Sequence, residues 1–182
     1  MAVTEPLMDG LTQWLAFTVV ALCLAAAIQD LLSREIANGF SVAIVVLFLA
    51  MALIGPYSLA AVTAVIGPAL LVFAVTACLF WLGLFGGGDV KLVSATSLWI
   101  TPGHLLAFLL CVLLVGGVLA LVFLLRLKVA PKMRGKQGFA RHFFTEDQES
   151  LNSIPYGLAI AVGVLAMWRI GAMGPSVSAG TG

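Results

Sequence analysis

The segment Leu82-Gly83-Leu84-Phe85-Gly86-Gly87-Gly88-Asp89-Val90-Lys91-Leu92-Val93 sets an aspartate and three consecutive glycines between two apolar runs. An ionisable residue at the edge of a bilayer-spanning segment is costly, which marks Asp89 as a functional-site candidate. Asp30 closes the first apolar run of the chain in the same way. Two carboxylates so placed suggest acid–base chemistry at a membrane surface.

Composition makes the bilayer reading firm. Of the 182 residues, 62% are hydrophobic and 9% charged, against about 25% charged in a soluble domain. The mean hydropathy is +1.16. The expected fold is therefore all-α and polytopic, one membrane-embedded domain over residues 1–182. A net charge of +1 gives no reason to expect a nucleic-acid partner. Cys23, Cys78 and Cys111 are far apart within apolar runs and form no C-x-x-C pair, so neither a zinc site nor a redox motif is supported. No metal or other cofactor is called for. The opening MAVTEPLMDG contains no Lys or Arg, and a cleavable signal normally starts with a basic region. The first span is expected to stay in the membrane.

A spanning helix needs about 20 mostly apolar residues. Six candidates emerge: Leu11–Gln29, Phe40–Ile54, Ser58–Leu82, Val90–Thr101, Leu105–Leu127 and Ile154–Ile170. Asn38-Gly39 reads as a helix stop, and Gly55-Pro56 and Pro102-Gly103 as turns. Pro68 falls inside the third span, where a kink is expected. Pro155 suits the first turn of the last helix, with Ser153 as its cap.

Basic residues orient the spans. With six crossings, Arg34, Lys91, Arg126, Lys128, Lys132, Arg134, Lys136 and Arg141 share one side, and Arg169 alone takes the other. The positive-inside rule puts the eight in the cytoplasm and both termini outside. The polar segment 128–151 becomes a cytoplasmic basic, amphipathic loop, with Phe139, Phe143 and Phe144 facing lipid headgroups. His104 and His142 fall on opposite sides. Asp30 and Asp89 reach the same cytoplasmic face at similar depth, where they can meet.

The residues alone leave two readings open for each carboxylate. Asp89 fits G-x-G-D, or it caps the helix that follows. Asp30 is catalytic, or it pairs with Arg34 one helical turn on. Lys91 either anchors the chain at the interface or tunes the carboxylates. Gly157/Ala161 and Ala159/Gly163 form small-xxx-small steps for close helix contact, and Tyr156 reads as an interfacial aromatic.

Three motifs in order resemble the type IV prepilin peptidases. Asp30 with Arg34-Glu35-Ile36-Ala37-Asn38 is similar to their D…R-x-I-P-N segment. Phe85-Gly86-Gly87-Gly88-Asp89-Val90-Lys91-Leu92 is similar to G-x-G-D, and Ile154-Pro155-Tyr156-Gly157 to their final helix. The small size resembles the branch serving tight-adherence (Flp) pili. Ala37 departs from the family proline, which bears on local turn geometry. The paired-cysteine N-terminal domain associated with N-methylation is not seen, so methyltransferase activity is not expected.

The resemblance implies an aspartic endopeptidase of the bacterial inner membrane, cutting leaders from prepilins and pseudopilins at its cytoplasmic face. Contact with pilus-assembly machinery is a further expectation. Asp30 and Asp89 would be the catalytic pair, with Gly86, Gly87, Gly88, Lys91, Arg34, Asn38, Pro155, Tyr156 and Gly157 in support. Two close carboxylates share one proton. A helix N-terminus and nearby Lys91 favour Asp89 as the base, leaving Asp30 as the acid. The alternatives are another G-x-G-D intramembrane protease, a non-enzymatic pilus-assembly scaffold, or a small transporter. The presenilin-like proteases pair G-x-G-D with Tyr-Asp and Pro-Ala-Leu, whereas here Gln29 precedes Asp30. A transporter calls for midplane polar groups in repeated halves, and no such repeat is evident.

Overall fold

The computed structural model describes the backbone of residues 4–55, 57–133 and 156–174, and side chains within 10–55, 57–125 and 156–174. Among these residues the chain forms six α-helices and one 3-10 turn. They are α1 (Thr4–Ser33), α2 (Asn38–Ile54), α3 (Leu59–Trp81), α4 (Gly87–Ser97), the 3-10 turn Pro102–His104, α5 (Leu105–Met133) and α6 (Tyr156–Arg169). Among the described residues, extended pairing is confined to one bridge between Ile100 and Met173. Three segments are long and apolar enough to cross a bilayer: Gly10–Ser33, Leu59–Trp81 and Pro102–Leu125. Exposed Leu, Val, Phe and Trp side chains line them, as expected where lipid is the solvent.

The helix ends differ from expectation in instructive ways. Asn38-Gly39 does not stop a helix. The first helix ends at Ser33, Arg34 takes the left-handed conformation at φ 57°, and Asn38 opens α2. Such a backbone costs a non-glycine residue roughly 1–2 kcal/mol, so the surroundings must hold Arg34 there. Two other helices end on glycine. The Gly83 N–H donates to Phe80 O and Leu84 N–H to Leu79 O, with Gly83 at φ 72°. Gly171 repeats the pattern after α6, its N–H donating to Trp168 O and that of Ala172 to Met167 O. Both are Schellman closures. Ser58 caps α3, its Oγ accepting the Ala61 N–H at 3.1 Å. Helix α3 runs unbroken through Pro68. Helix α5 continues to Met133, so the first residues of the expected 128–151 loop are helical. The rest of that loop, Ser153 and Pro155 lie outside the described residues.

Helix α4 sits at the centre, packed against α2, α3 and α6. It buries Val90, Leu92, Val93 and Ala95 beside the polar Asp89, Thr96 and Ser97. The hydroxyls are neutralised locally: Thr96 Oγ1 donates to Leu92 O at 2.9 Å and Ser97 Oγ to Val93 O at 2.7 Å. This back-bonding lets a polar helix lie inside an apolar bundle. Just beyond it, Trp99 is fully buried, its indole N–H donating to Ile44 O at 3.1 Å and its ring edge-on to Phe48. Helix α1 packs along α6, and α6 along α5.

The contacts sort the helix ends into two levels. Thr12 meets Tyr57, and Thr101 N–H donates to Ala172 O, at one level. Asp30, Asn38, Lys91 and Gly157 meet at the other. Gly163 sets the α5–α6 approach. A Cβ there would lie 2.8 Å from Val112 Cγ2 and 3.1 Å from the Phe108 ring, both buried. Gly163→Val is therefore expected to destabilise the bundle by about 1–3 kcal/mol through overpacking. Denaturation of the purified protein in mixed detergent micelles checks this, and unchanged stability would refute the close packing.

Candidate active site

Asp30 lies in the last turn of α1, and its peptide carbonyl accepts the Arg34 N–H as the helix ends. Its side chain is 7% exposed. The first peptide N–H of α6 to reach it is that of Gly157, donating to Asp30 Oδ2 at 2.8 Å. A helix N-terminus is a natural seat for a carboxylate. Gly157 is also a steric requirement. A Cβ there would lie 2.9 Å from Oδ2 and 3.0 Å from the Cβ of Asp30.

Asp89 is the third residue of α4 and 8% exposed. Gly86 is the N-cap, and the Asp89 side chain reaches back to accept the Gly86 N–H. This is the reciprocal half of a capping box. Asp89 is therefore not the cap of this helix, as one reading had it, but its third residue, a place that leaves a chemical role open. Asp89 also lies within electrostatic reach of Asp30, a residue of a different helix. Burial, and next the Asp30 charge, push the Asp89 carboxyl up to about 7, against the lowering effect of the Gly86 N–H. At Asp89 desolvation thus outweighs the helix terminus. Lys91 does not rescue it: its ammonium donates to Asn38 Oδ1 at 2.8 Å.

The glycines before Asp89 admit close neighbours. A Cβ on Gly86 would lie 2.6 Å from Asp89 Oδ2, and one on Gly88 would lie 3.0 Å from Ile36 Cβ. Ile36 belongs to the Arg34–Asn38 segment, so the two sequence motifs touch directly. Lys91 and Asn38 join them a second time. Arg34 sits within electrostatic reach of Asp30. Tyr156 packs its ring 5.3 Å from that of Phe85 and against Gly116, where a Cβ would lie 2.8 Å from the Tyr156 ring. It acts as a wedge between α5 and the glycine turn rather than as a lipid-facing anchor.

Sequence reasoning missed Gln29, Ile36, Phe85 and Gly116. Gln29 Oε1 accepts the Ala37 N–H at 3.1 Å and ties down the residue standing where proline was expected. A polar residue directly before Asp30 was the available signal. Among the described residues no group of three His, Cys, Asp or Glu could hold a metal ion.

The site can hold two carboxyl groups with one proton between them, which suits water activation against a peptide carbonyl. Gly157→Ala is expected to displace Asp30 and reduce the site's activity by at least about tenfold, the cost of roughly 1.4 kcal/mol in transition-state stabilisation. Turnover of the purified variant checks this, with its melting temperature as the folding control. Full activity would show that the Gly157 contact does not position Asp30.

A model of one protein family, described as the type IV leader peptidase family, matches residues 17–121, more than half of the chain and inclusive of both aspartates. No curated protein and no solved structure matches. The chain belongs to the type IV leader peptidase family.

Proposed function

We propose that the protein is a multi-pass aspartic endopeptidase of the bacterial inner membrane that removes the leader of type IV prepilins of the Flp-like class. The reading rests on one observation above all: Asp30 and Asp89, from different helices, are buried within electrostatic reach of each other. Six crossings with both termini outside, the carboxylates at the cytoplasmic face, and one domain over residues 1–182 complete the proposal. The eight-to-one division of basic residues supports that orientation. Prepilins and pseudopilins are the proposed substrates, with pilus-assembly proteins as neighbours.

In the proposed reaction Asp89 holds the shared proton and polarises the scissile carbonyl. Asp30, aligned by the Gly157 N–H, takes a proton from the attacking water. The oxygen of that water bonds to the carbonyl carbon as the Asp89 proton passes to the carbonyl oxygen, giving a tetrahedral diol. Its collapse breaks the C–N bond as the proton held by Asp30 passes to the leaving nitrogen and a diol hydroxyl returns its proton to Asp89, restoring the starting pair. This assignment reverses the one expected from Lys91: burial and the neighbouring Asp30 charge favour the protonated form of Asp89, and the Lys91 ammonium is turned to Asn38 instead. The dyad still titrates as a unit.

Asp30→Asn and Asp89→Asn are each expected to lower leader cleavage by about 10³-fold or more, since either change removes one half of the proton relay. Cleavage of a purified prepilin by the purified variants is the test, with membrane insertion as control. Near-normal cleavage by either would leave a scaffold as the better reading.

The pH profile gives a second check. Asp89 must be protonated, so cleavage should fall as pH rises through about 7, by roughly tenfold per unit on the alkaline side. Stability should follow the same group. An acid whose folded pKa is raised binds more protons folded than unfolded, so stability drops between pH 4 and 7 and levels off above. Asp89→Asn should flatten that drop in melting temperature. A profile unchanged in the variant would remove Asp89 as its source.

A further inference from the structure

On the side of α4 facing away from the carboxylates, α2 and α3 both lean on α4 and scarcely touch each other. The gap between them is a groove of about 360 Å³. That volume lies within the usual range of small-ligand sites, roughly 300–1,000 Å³. Its walls are Val45 and Val46 of α2 and Ile66 and Leu70 of α3, and its floor runs along α4 from Lys91 to Leu98. Seven steps along the helix make that floor about 10 Å long.

Two polar groups stand at the Lys91 end, and both lack a counterpart of the right kind. Ser41, in the first turn of α2, is 7% exposed, and its Oγ is a buried polar atom with no hydrogen-bond partner. Leaving a buried hydroxyl unpaired costs about 1–3 kcal/mol, and it lines this groove. Lys91 donates to the neutral Asn38 Oδ1, so its charge meets no acid there. Helix α2 begins at the same end, with Ala37 as N-cap and no side chain accepting from its first turn. A hydroxyl donor, an ammonium and an uncapped helix N-terminus together favour an anionic acceptor. Apart from Ser94, whose hydroxyl is spent on Val90 O at 2.7 Å, the rest of the groove is apolar, and Val46 and Leu70 at its rim are exposed.

We propose that this groove binds one anionic phospholipid, its phosphate at Lys91 and Ser41 and an acyl chain along α4 between α2 and α3. The bilayer supplies this amphiphile at the required depth, and basic pockets between membrane helices are known headgroup sites. A polypeptide helix fits less well, since its own backbone groups are already satisfied and it offers Ser41 and Lys91 no fixed anion. Filling the gap would brace α3 against α2, which the protein alone does not do.

Native mass spectrometry of the full chain, titrated with phosphatidylglycerol or with phosphatidylcholine of the same acyl chains, tests the proposal. The wild type should bind one phosphatidylglycerol about fivefold more tightly than phosphatidylcholine. Lys91→Gln should erase that preference and Lys91→Arg should keep it. Ser41→Ala should weaken the phosphatidylglycerol adduct alone. Val46→Trp, or Val42→Trp as a second rim variant, should remove both adducts while the melting temperature stays near wild type. Equal affinity for the two lipids, or adducts that survive both tryptophans, would overturn the proposal. So would glycerol 3-phosphate competing as well as intact lipid, which would leave the groove without a role. Displacement of the lipid by a synthetic apolar helix peptide that cross-links to Val46 would assign the groove to a polypeptide instead.

Discussion

The Gly157 N–H that donates to Asp30 Oδ2 at 2.8 Å joins the last described helix to the first. Most of the arrangement follows from it. The bond can form only if α6 begins where α1 ends, which brings the two helices side by side along their length. It also requires a residue with no side chain at 157, because Asp30 occupies the space a Cβ would need. Helix α4 then has one place to go, against α6 on one side and α2 on the other, with Asp89 at its opening turn. An isolated buried carboxylate in an apolar bundle would be prohibitive. Here each acid has a peptide N–H from a helix start, Gly157 for Asp30 and Gly86 for Asp89.

Those two hydrogen bonds differ in what they accomplish. At Asp89 the Gly86 N–H and the helix terminus favour the anion, yet burial and the neighbouring Asp30 charge prevail and lift the group to about 7. The competition is local. Placing Lys91 on Asn38 instead of on Asp89 leaves that outcome in place, since a cation beside Asp89 would favour its ionised form.

Much of this was legible in the amino-acid sequence, and the illegible parts have physical causes. Long apolar runs forecast α1, α3 and α5, because a helix in lipid is recognisable by length and composition alone. Counting crossings and basic residues pointed to one shared face for Asp30 and Asp89, and the two lie within electrostatic reach of each other. Helix ends were harder. Gly83 and Gly171 close helices through backbone bonds alone, and many glycines in this chain could have done so. Arg34 in a left-handed conformation is unreadable from local preference, since tertiary contacts hold it there. The upward shift of Asp89 is hidden from the sequence for a related reason. Helix position and sequence neighbours are visible in a string of letters, whereas desolvation depends on what α2, α3 and α6 bring from afar. The roles of Gln29, Phe85 and Gly116 likewise emerge only when the chain is folded.

Helix α3 carries a different implication. It buries only Val65, Ala69, Val72 and Thr76, a single stripe spaced four, three and four residues apart, and that stripe faces mainly α4. The rest of its circumference meets hydrocarbon, which asks of a side chain only that it be apolar. Substitutions over generations should therefore be unevenly tolerated along this helix. The stripe is held to small or β-branched residues, while Leu71 and Val75, both exposed, are free to exchange with any residue of similar oiliness. Helix α4, enclosed on three sides and carrying one of the acids, has no such latitude. Two adjacent helices of one chain should thus drift at very different rates, set by how much of each is wrapped in protein.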